Sequence, residues 1–156
     1  MPTLWKRMCC AALLLALLAG LGACGTHEPP APNENAIRQS LVGKTWTLHT
    51  IVSRDFDDDP PLTLKFNGDG TVEGFGGCNT FTGTYTLTDG YLEFGPLAAT
   101  HKSCGPIKDE REFTYLTYLA TVRRLDTQTG PDELVLLTEN QSELKFTSGE
   151  SGGLFW

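Results

Sequence analysis

The stretch Gly74-Phe75-Gly76-Gly77-Cys78-Asn79, followed directly by the alternating run Thr80 to Leu87, constrains the fold of this chain more than any other segment. Three glycines in four positions let the backbone take positive φ, or approach a neighbouring strand closely, where side-chain-bearing residues do so only at a cost. A β-bulge or sharp bend is the expected result. Behind the bend, Phe81, Tyr85 and Leu87 alternate with threonines in the two-residue period of a half-buried strand. Cys78 sits just past the bend, and Cys104 is the one cysteine downstream of it.

The N-terminus sets the compartment in which those cysteines are read. Lys6 and Arg7 precede an apolar run from Met8 to Leu21 that ends in the small residues Gly22 and Ala23, a secretory signal pattern over residues 1–23. A membrane-crossing helix needs about 20 apolar residues, so a retained anchor is the weaker reading of this shorter run. Leu21-Gly22-Ala23-Cys24 resembles the bacterial lipobox, in which the chain is cut before the cysteine and the thiol takes a diacylglycerol; ordinary Ala-x-Ala cleavage is the competing reading. A single acyl chain binds membranes marginally, whereas two or more hold firmly, so a lipidated Cys24 anchors the protein to the membrane. By the sorting rule of enterobacterial lipoproteins, Gly25 after the cysteine implies the outer membrane, facing the periplasm.

With Cys9 and Cys10 in the signal and Cys24 lipidated, Cys78 and Cys104 remain as an even pair in an oxidising space, the arrangement of a disulfide. Two cysteines alone make a poor metal site, since structural zinc takes four ligands. Loss of the signal removes two basic residues and leaves ten against nineteen acidic ones, a net charge of −9. Such a surface lacks the clustered Lys and Arg that neutralise phosphates, which excludes nucleic acid as a partner.

Residues 24–35 carry Pro29, Pro30 and Pro32 among polar residues and read as a tether, reaching roughly 30 Å if extended. The folded body is expected over residues 36–156, enough for one core. Trp46 and Leu48 alternate with Thr45 and Thr47 in a first strand, with Trp46 a core anchor. The acidic stretch Asp55 to Asp59 and Pro60-Pro61 form a loop. Leu62, Leu64 and Phe66 lead through the turn Asn67-Gly68-Asp69-Gly70 into Thr71-Val72-Glu73, a hairpin. After the Thr80 strand, Asp89-Gly90 turns the chain into Tyr91 to Phe94, and Leu97 to Gly105 reads as an irregular connection.

Pro106 and the acidic Asp109, Glu110 and Glu112 start a helix. Phe113, Leu116 and Ala120, with Tyr115, Leu119 and Val122 beside them, recur at helical spacing, and the helix is expected to end near Ala120. Arg123 to Leu125, Leu134 to Thr138 and Glu143 to Thr147 read as strands, and Leu154-Phe155-Trp156 as a last strand or a packed terminus. The expected fold class is α+β: a curled antiparallel β-sheet, a partial barrel of about seven to eight strands, with one helix packed on it.

Gly43-x-x-Trp46-x-Leu48, Gly76-Gly77-Cys78-Asn79-x-Phe81-x-Gly83-x-Tyr85, Gly95-Pro96-Leu97 to Thr100 with Cys104, and Glu112-Phe113-x-x-Leu116 together resemble the META domain, the heat-shock HslJ-like family of bacterial envelope lipoproteins. Gly-Gly-Cys-Asn is its signature. His101-Lys102-Ser103 departs from the methionine that many members place before the second cysteine. The resemblance implies an envelope protein, induced in some members by stress, without established catalytic activity. The fold also resembles secretin pilot lipoproteins, which bind a partner peptide or lipid.

The chemistry of single residues points the same way. A catalytic Cys78 would need a base, and His49 and His101 are the candidates in the folded body; the disulfide is the stronger reading. Gly149-Glu150-Ser151-Gly152-Gly153 matches a nucleophile elbow formally, but no acid or histidine follows the serine as that class requires. Asp55, Asp57 and Asp59 imitate half of an EF-hand, with Pro60 in place of its glycine and Phe66 in place of its bidentate glutamate. The run Gly74 to Gly77 lacks the lysine and hydroxyl of a phosphate loop. Asn79 reads as a local backbone-binding residue, while Tyr85, Tyr91, Phe81 and Trp46 either line a small apolar cavity or fill the core.

No catalytic residue, metal or cofactor is therefore expected. The expected function is a non-enzymatic binding or scaffolding lipoprotein in envelope stress tolerance. Its partners are the membrane, through Cys24, and an envelope protein, a peptide or a hydrophobic ligand. The alternative is a lysozyme-type enzyme inhibitor, engaging a basic enzyme through Asp55 to Asp59.

Overall fold

A computed structural model of the chain describes residues 33–57 and 60–149. The signal, Cys24, the tether up to residue 32, Asp58, Asp59 and residues 150–156 lie outside the described residues.

The antiparallel sheet closes completely. Strands β1 (Thr45–Ile51), β3 (Thr63–Phe66), β4 (Thr71–Phe75), β5 (Thr80–Thr88), β6 (Tyr91–Phe94), β8 (Val122–Leu125), β9 (Glu133–Thr138) and β10 (Glu143–Ser148) neighbour one another in chain order, and β10 pairs back onto β1. The closing pair runs from Trp46 opposite Ser148 to Ile51 opposite Leu144, with a bulge between Leu48 and Thr50. Closure removes the unpaired edges that the partial barrel expected from sequence would have left open to other chains. Two short strands extend the long ones where their neighbours diverge: β2 (Arg54–Asp55) pairs with Thr50 and Ile51, and β7 (Ala98–Ala99) with Phe81 and Thr82.

The sequence pattern accounts for most staves. Asn67-Gly68-Asp69-Gly70 turns β3 into β4, with Gly70 at φ +84° and Asp69 accepting from the Thr71 amide. Along β5, Phe81, Tyr85 and Leu87 are buried while Thr80, Thr82, Thr84 and Thr86 face out. Gly83 falls on the buried side of this alternation, and a Cβ there would come within 2.9 Å of the Pro96 carbonyl and 2.7 Å of the Leu97 side chain. The chain between β6 and β7 crosses at that point, and only glycine lets it through.

Side chains fill the barrel. Trp46, Leu64, Phe66, Phe81, Leu92, Leu136 and Phe146 are all 2% exposed or less, and each such burial is worth roughly 1.5–3 kcal/mol. Trp46 is the core anchor its position suggests, and its indole Nε1 donates to the Leu41 carbonyl. Of the four aromatics read as lining a cavity or filling the core, Trp46, Phe81 and Tyr85 are core, whereas Tyr91 is exposed beneath the Arg124 guanidinium.

Helix α2 (Pro106–Ala120) covers one end of the barrel. Pro106 opens it behind Gly105 at φ +100°, and Asp109 lies in its first turn. Its buried residues are Tyr115 and Leu119; Phe113, expected on that face, is 72% exposed. The Tyr115 ring meets Phe81 edge-on and Phe146 at a tilt, and its hydroxyl donates to the Thr63 carbonyl. Burial pushes the Tyr115 pKa up, which keeps it protonated as that donor.

A second helix, α1 (Glu34–Leu41), precedes the barrel at the opposite end. Asn33 caps it by accepting from the Ala36 amide, Glu34 pairs with Arg38, and Ile37 and Leu41 bury one face. Arg38 reaches the Tyr85 hydroxyl and the Leu87 carbonyl, both from β5.

Candidate functional site

The Gly-rich signature lies under α2, in the bend between β4 and β5, and each of its parts is held by a different contact. Gly74 faces the core side of β4, where a Cβ would stand 2.2 Å from the Thr63 carbonyl oxygen and 2.4 Å from the Phe81 ring. Gly76 lies against Glu112 of α2, whose Cγ and Oε2 are each 2.7 Å from where a Cβ would be. Gly77 alone of the three has a positive φ, +96°. Close approach therefore requires glycine at positions 74 and 76, and backbone conformation requires it at 77.

Cys78 and Cys104 are bonded, with Cα atoms 5.8 Å apart. Cys78 is buried and Cys104 exposed. The sulfur of Cys78 is thus unavailable as a nucleophile, which removes the thiol-enzyme reading.

Asn79 is the hub beside the disulfide. Its backbone N–H donates to Glu112 Oε2 at 2.7 Å and its Nδ2 donates to Glu112 Oε1 at 2.7 Å and to the Lys102 carbonyl at 3.0 Å. Its Oδ1 accepts from Thr100 Oγ1 at 2.7 Å and from the Lys102 amide at 2.8 Å. Its carbonyl accepts from the Gly76 amide. Two donors and two acceptances saturate a carboxamide side chain, so this 4% exposed asparagine has no polar capacity left for a ligand. The amide ties three segments, the bend, the β7 connection and α2, into one joint. A second carboxylate pins the far end of the disulfide: Asp109 accepts from Ser103 Oγ and from the Cys104 amide, and these bonds hold its pKa below the usual carboxylate range.

The remaining chemical candidates stand apart from this joint. His49 projects from the outer face of β1, with Nε2 2.8 Å from Thr147 Oγ1 and Nδ1 3.3 Å from Asp57 Oδ1. The acid, imidazole and hydroxyl lie in catalytic order, but the histidine and aspartate side chains are 41% and 78% exposed, so the contact is a solvated cross-strand pair without the water-excluded setting that electrostatic catalysis needs. His101 is exposed on the β7 connection. Asp55 is in β2, opposite Thr50, and not in a cation-binding loop. Among the described residues no group of three or more His, Cys, Asp or Glu is placed to hold a metal ion. Ser151 of the formal nucleophile elbow lies outside the described residues.

An eight-stranded meander barrel closed by its first and last strands, with one helical crossover over an end and a disulfide-pinned bend beneath it, defines a class of small single-core domains. The chain belongs to the META domain family, whose sequence profile matches residues 39–151. Among solved structures it is similar to a protein from Burkholderia xenovorans determined by NMR, at 27% identity and a TM-score of 0.61, over 83% of this chain and 99% of that one. A second NMR structure aligns at 24% identity and a TM-score of 0.57, over 70% and 92%. The crystal structure of a DUF4847 family protein from Bacteroides vulgatus aligns at 14% identity and a TM-score of 0.54, over 71% and 96%, and shares the fold. No curated protein matches the chain.

The two glycines next to Cys78 are expected to fail by different routes when replaced. Gly77→Val meets backbone strain at positive φ, and Gly76→Val pushes Glu112 off Asn79; each is expected to destabilise by about 1–3 kcal/mol. Denaturant melts and partner binding measured on the same variants check this: binding falls only as folded protein is lost. A variant as stable as wild type that no longer binds would place these glycines in a binding site.

Proposed function

We propose that this chain is a lipid-anchored envelope protein whose META barrel is a non-catalytic binding or scaffolding module, in which Gly76, Gly77, Cys78 and Asn79 build the module and do not touch its partner. One observation carries the reading: the signature is saturated internally, with Cys78 in a disulfide and every polar group of the Asn79 side chain bonded to Glu112, Thr100 or Lys102. The filled barrel supports it further, since packed aromatic and aliphatic side chains leave the interior to the core and direct binding to the rims and outer face. An envelope protein or peptide suits such a surface better than a small hydrophobic molecule enclosed in the barrel.

Affinity capture from detergent-solubilised envelopes with the lipidated protein tests the module. A defined partner retained by wild type and by Cys24→Ser is the expected result. Stoichiometric inhibition of lysozyme by the purified domain would replace this reading with the inhibitor one. Lipidation has its own test: Cys24→Ser is expected to leave membranes as soluble or uncleaved protein, and normal processing with unchanged membrane association would contradict the anchor.

A further inference from the structure

A groove of about 210 Å³ opens at the α1 end of the barrel, between α1 and the connection from β8 to β9. Ile37, Leu41, Trp46, Leu125 and Leu134 give it an apolar base, and Thr127 and Thr129 stand among its polar lining. The last described strand delivers the chain to this place. Ser148 pairs with Trp46, its amide donates to the Asp132 carbonyl at 2.9 Å, and its hydroxyl donates to Asp132 Oδ1 at 3.0 Å. Asp132 follows Pro131, a lining residue whose carbonyl Lys44 holds.

The sequence beyond Ser148 continues Gly149-Glu150-Ser151-Gly152-Gly153 and then Leu154-Phe155-Trp156. Six residue steps from Ser148 to Leu154 reach at most about 20 Å, and three glycines among the five intervening residues let the chain turn back. Three consecutive large apolar residues gain by leaving water. A cavity of about 150 Å³ with apolar walls accommodates a benzene ring, so the groove has room for one aromatic side chain and not for the triplet. Leu154 to Trp156 lie beyond residues 39–151 matched by the family profile.

We infer that Leu154-Phe155-Trp156 docks an aromatic side chain of this same chain into the groove between α1 and the β8–β9 connection, so that the groove is a receptor for an aromatic peptide segment and its own tail occupies it in cis. This goes beyond the binding module proposed above by naming a site and its occupant. A linker of so few residues supplies an effective concentration on the order of mM, so even a segment that binds in trans with a Kd near 1 mM occupies the groove about half the time in cis.

Amide NMR spectra of the mature chain and of a form ending at Gly149 test the assignment, with the synthetic peptide Gly-Gly-Leu-Phe-Trp added to the shortened form at mM concentrations. Shortening is expected to shift the amides of Ala36, Ser40, Thr127 and Gly130, and the peptide to return them toward their starting positions. Ser40→Arg, an exposed change on the α1 wall, is expected to reproduce the shifts of the shortened form within an intact tail while far-ultraviolet dichroism stays that of the folded barrel. Shifts confined to the neighbours of Ser148 would overturn the docking. Groove shifts that vanish on tenfold dilution would overturn the cis arrangement in favour of a second copy supplying the tail.

Discussion

Glu112→Ala is expected to destabilise the domain by about 2–4 kcal/mol, although residue 112 lies on a surface helix and is only half-buried. The two carboxylate oxygens accept the Asn79 backbone N–H and one Nδ2 hydrogen, so truncation strands two donors of a buried residue. Stranding a buried donor costs roughly 1–3 kcal/mol, more than the net value of the bond itself. Glu112→Gln keeps the shape and one acceptor while turning an N–H toward a donor, and is expected to cost about half as much. Asn79→Ala removes the Nδ2 donors to Glu112 Oε1 and the Lys102 carbonyl and leaves Thr100 Oγ1 and the Lys102 amide without their acceptor, while the backbone N–H of residue 79 still reaches Glu112 Oε2. The double variant is then expected to cost clearly less than the sum of the singles, because each single change already breaks the Nδ2–Oε1 bond they share. Denaturant melts of the four proteins check this; additive costs would show that the joint between the bend and α2 is not the coupled unit described.

That joint also shows where local sequence stops being informative. Asn79 and Glu112 are 33 positions apart, and no periodicity or turn signal connects them. Glu112 stands in the motif that resembles the META family, but its role as the acceptor for Asn79 emerges only when α2 crosses the bend. The same holds for barrel closure. The β3–β4 hairpin is legible because Asn67-Gly68-Asp69-Gly70 is a turn by composition, whereas β1 and β10 meet across nearly the whole domain. Each strand is legible singly, and their pairing is not.

The limits of α2 were legible for a similar reason and its buried face was not. Pro106 and Asp109 mark the start by backbone and dipole chemistry. Apolar residues, however, occupy most of the circumference, so Phe113, Leu116 and Ala120 compete with Tyr115 and Leu119 as a stripe. The tie is broken by the acceptor at Thr63 and the rings of Phe81 and Phe146, which receive Tyr115 and leave Phe113 in water. Helix α1 is faint in the sequence because it buries only Ile37 and Leu41 and follows a proline-rich polar stretch. Its signal was present in Asn33 as N-cap, the Glu34–Arg38 pair and two apolar residues four apart.

Loss of the Cys78–Cys104 bond is expected to cost about 3–4 kcal/mol, chiefly by freeing the unfolded chain and with little change in the folded barrel. The two cysteines are 26 positions apart, and on the chain-entropy model a loop of that size is worth about 3.5 kcal/mol. The folded junction is held independently by Asn79 bonding Thr100 and Lys102, and by Asp109 accepting from the Cys104 amide. Cys78→Ser with Cys104→Ser should therefore keep native β-sheet dichroism while its denaturant midpoint falls. The slope of the transition should rise slightly, because an uncrosslinked unfolded chain exposes more surface. Alkylation of the wild-type domain without reductant is expected to label neither cysteine. Full labelling of the native protein would break the pairing itself, and collapse of the sheet in the double variant would mean that the Asn79 joint cannot hold the bend without the sulfur bridge. The Asp109 contacts add a pH dependence with a definite sign. Its pKa is lowered in the folded state, so its contribution is fully present above the ordinary carboxylate pKa and is lost as pH falls through the lowered folded value. Asp109→Asn in the double-serine background should remove that acid-side dependence, and an unchanged pH profile would show that Asp109 does not pin the Cys104 segment.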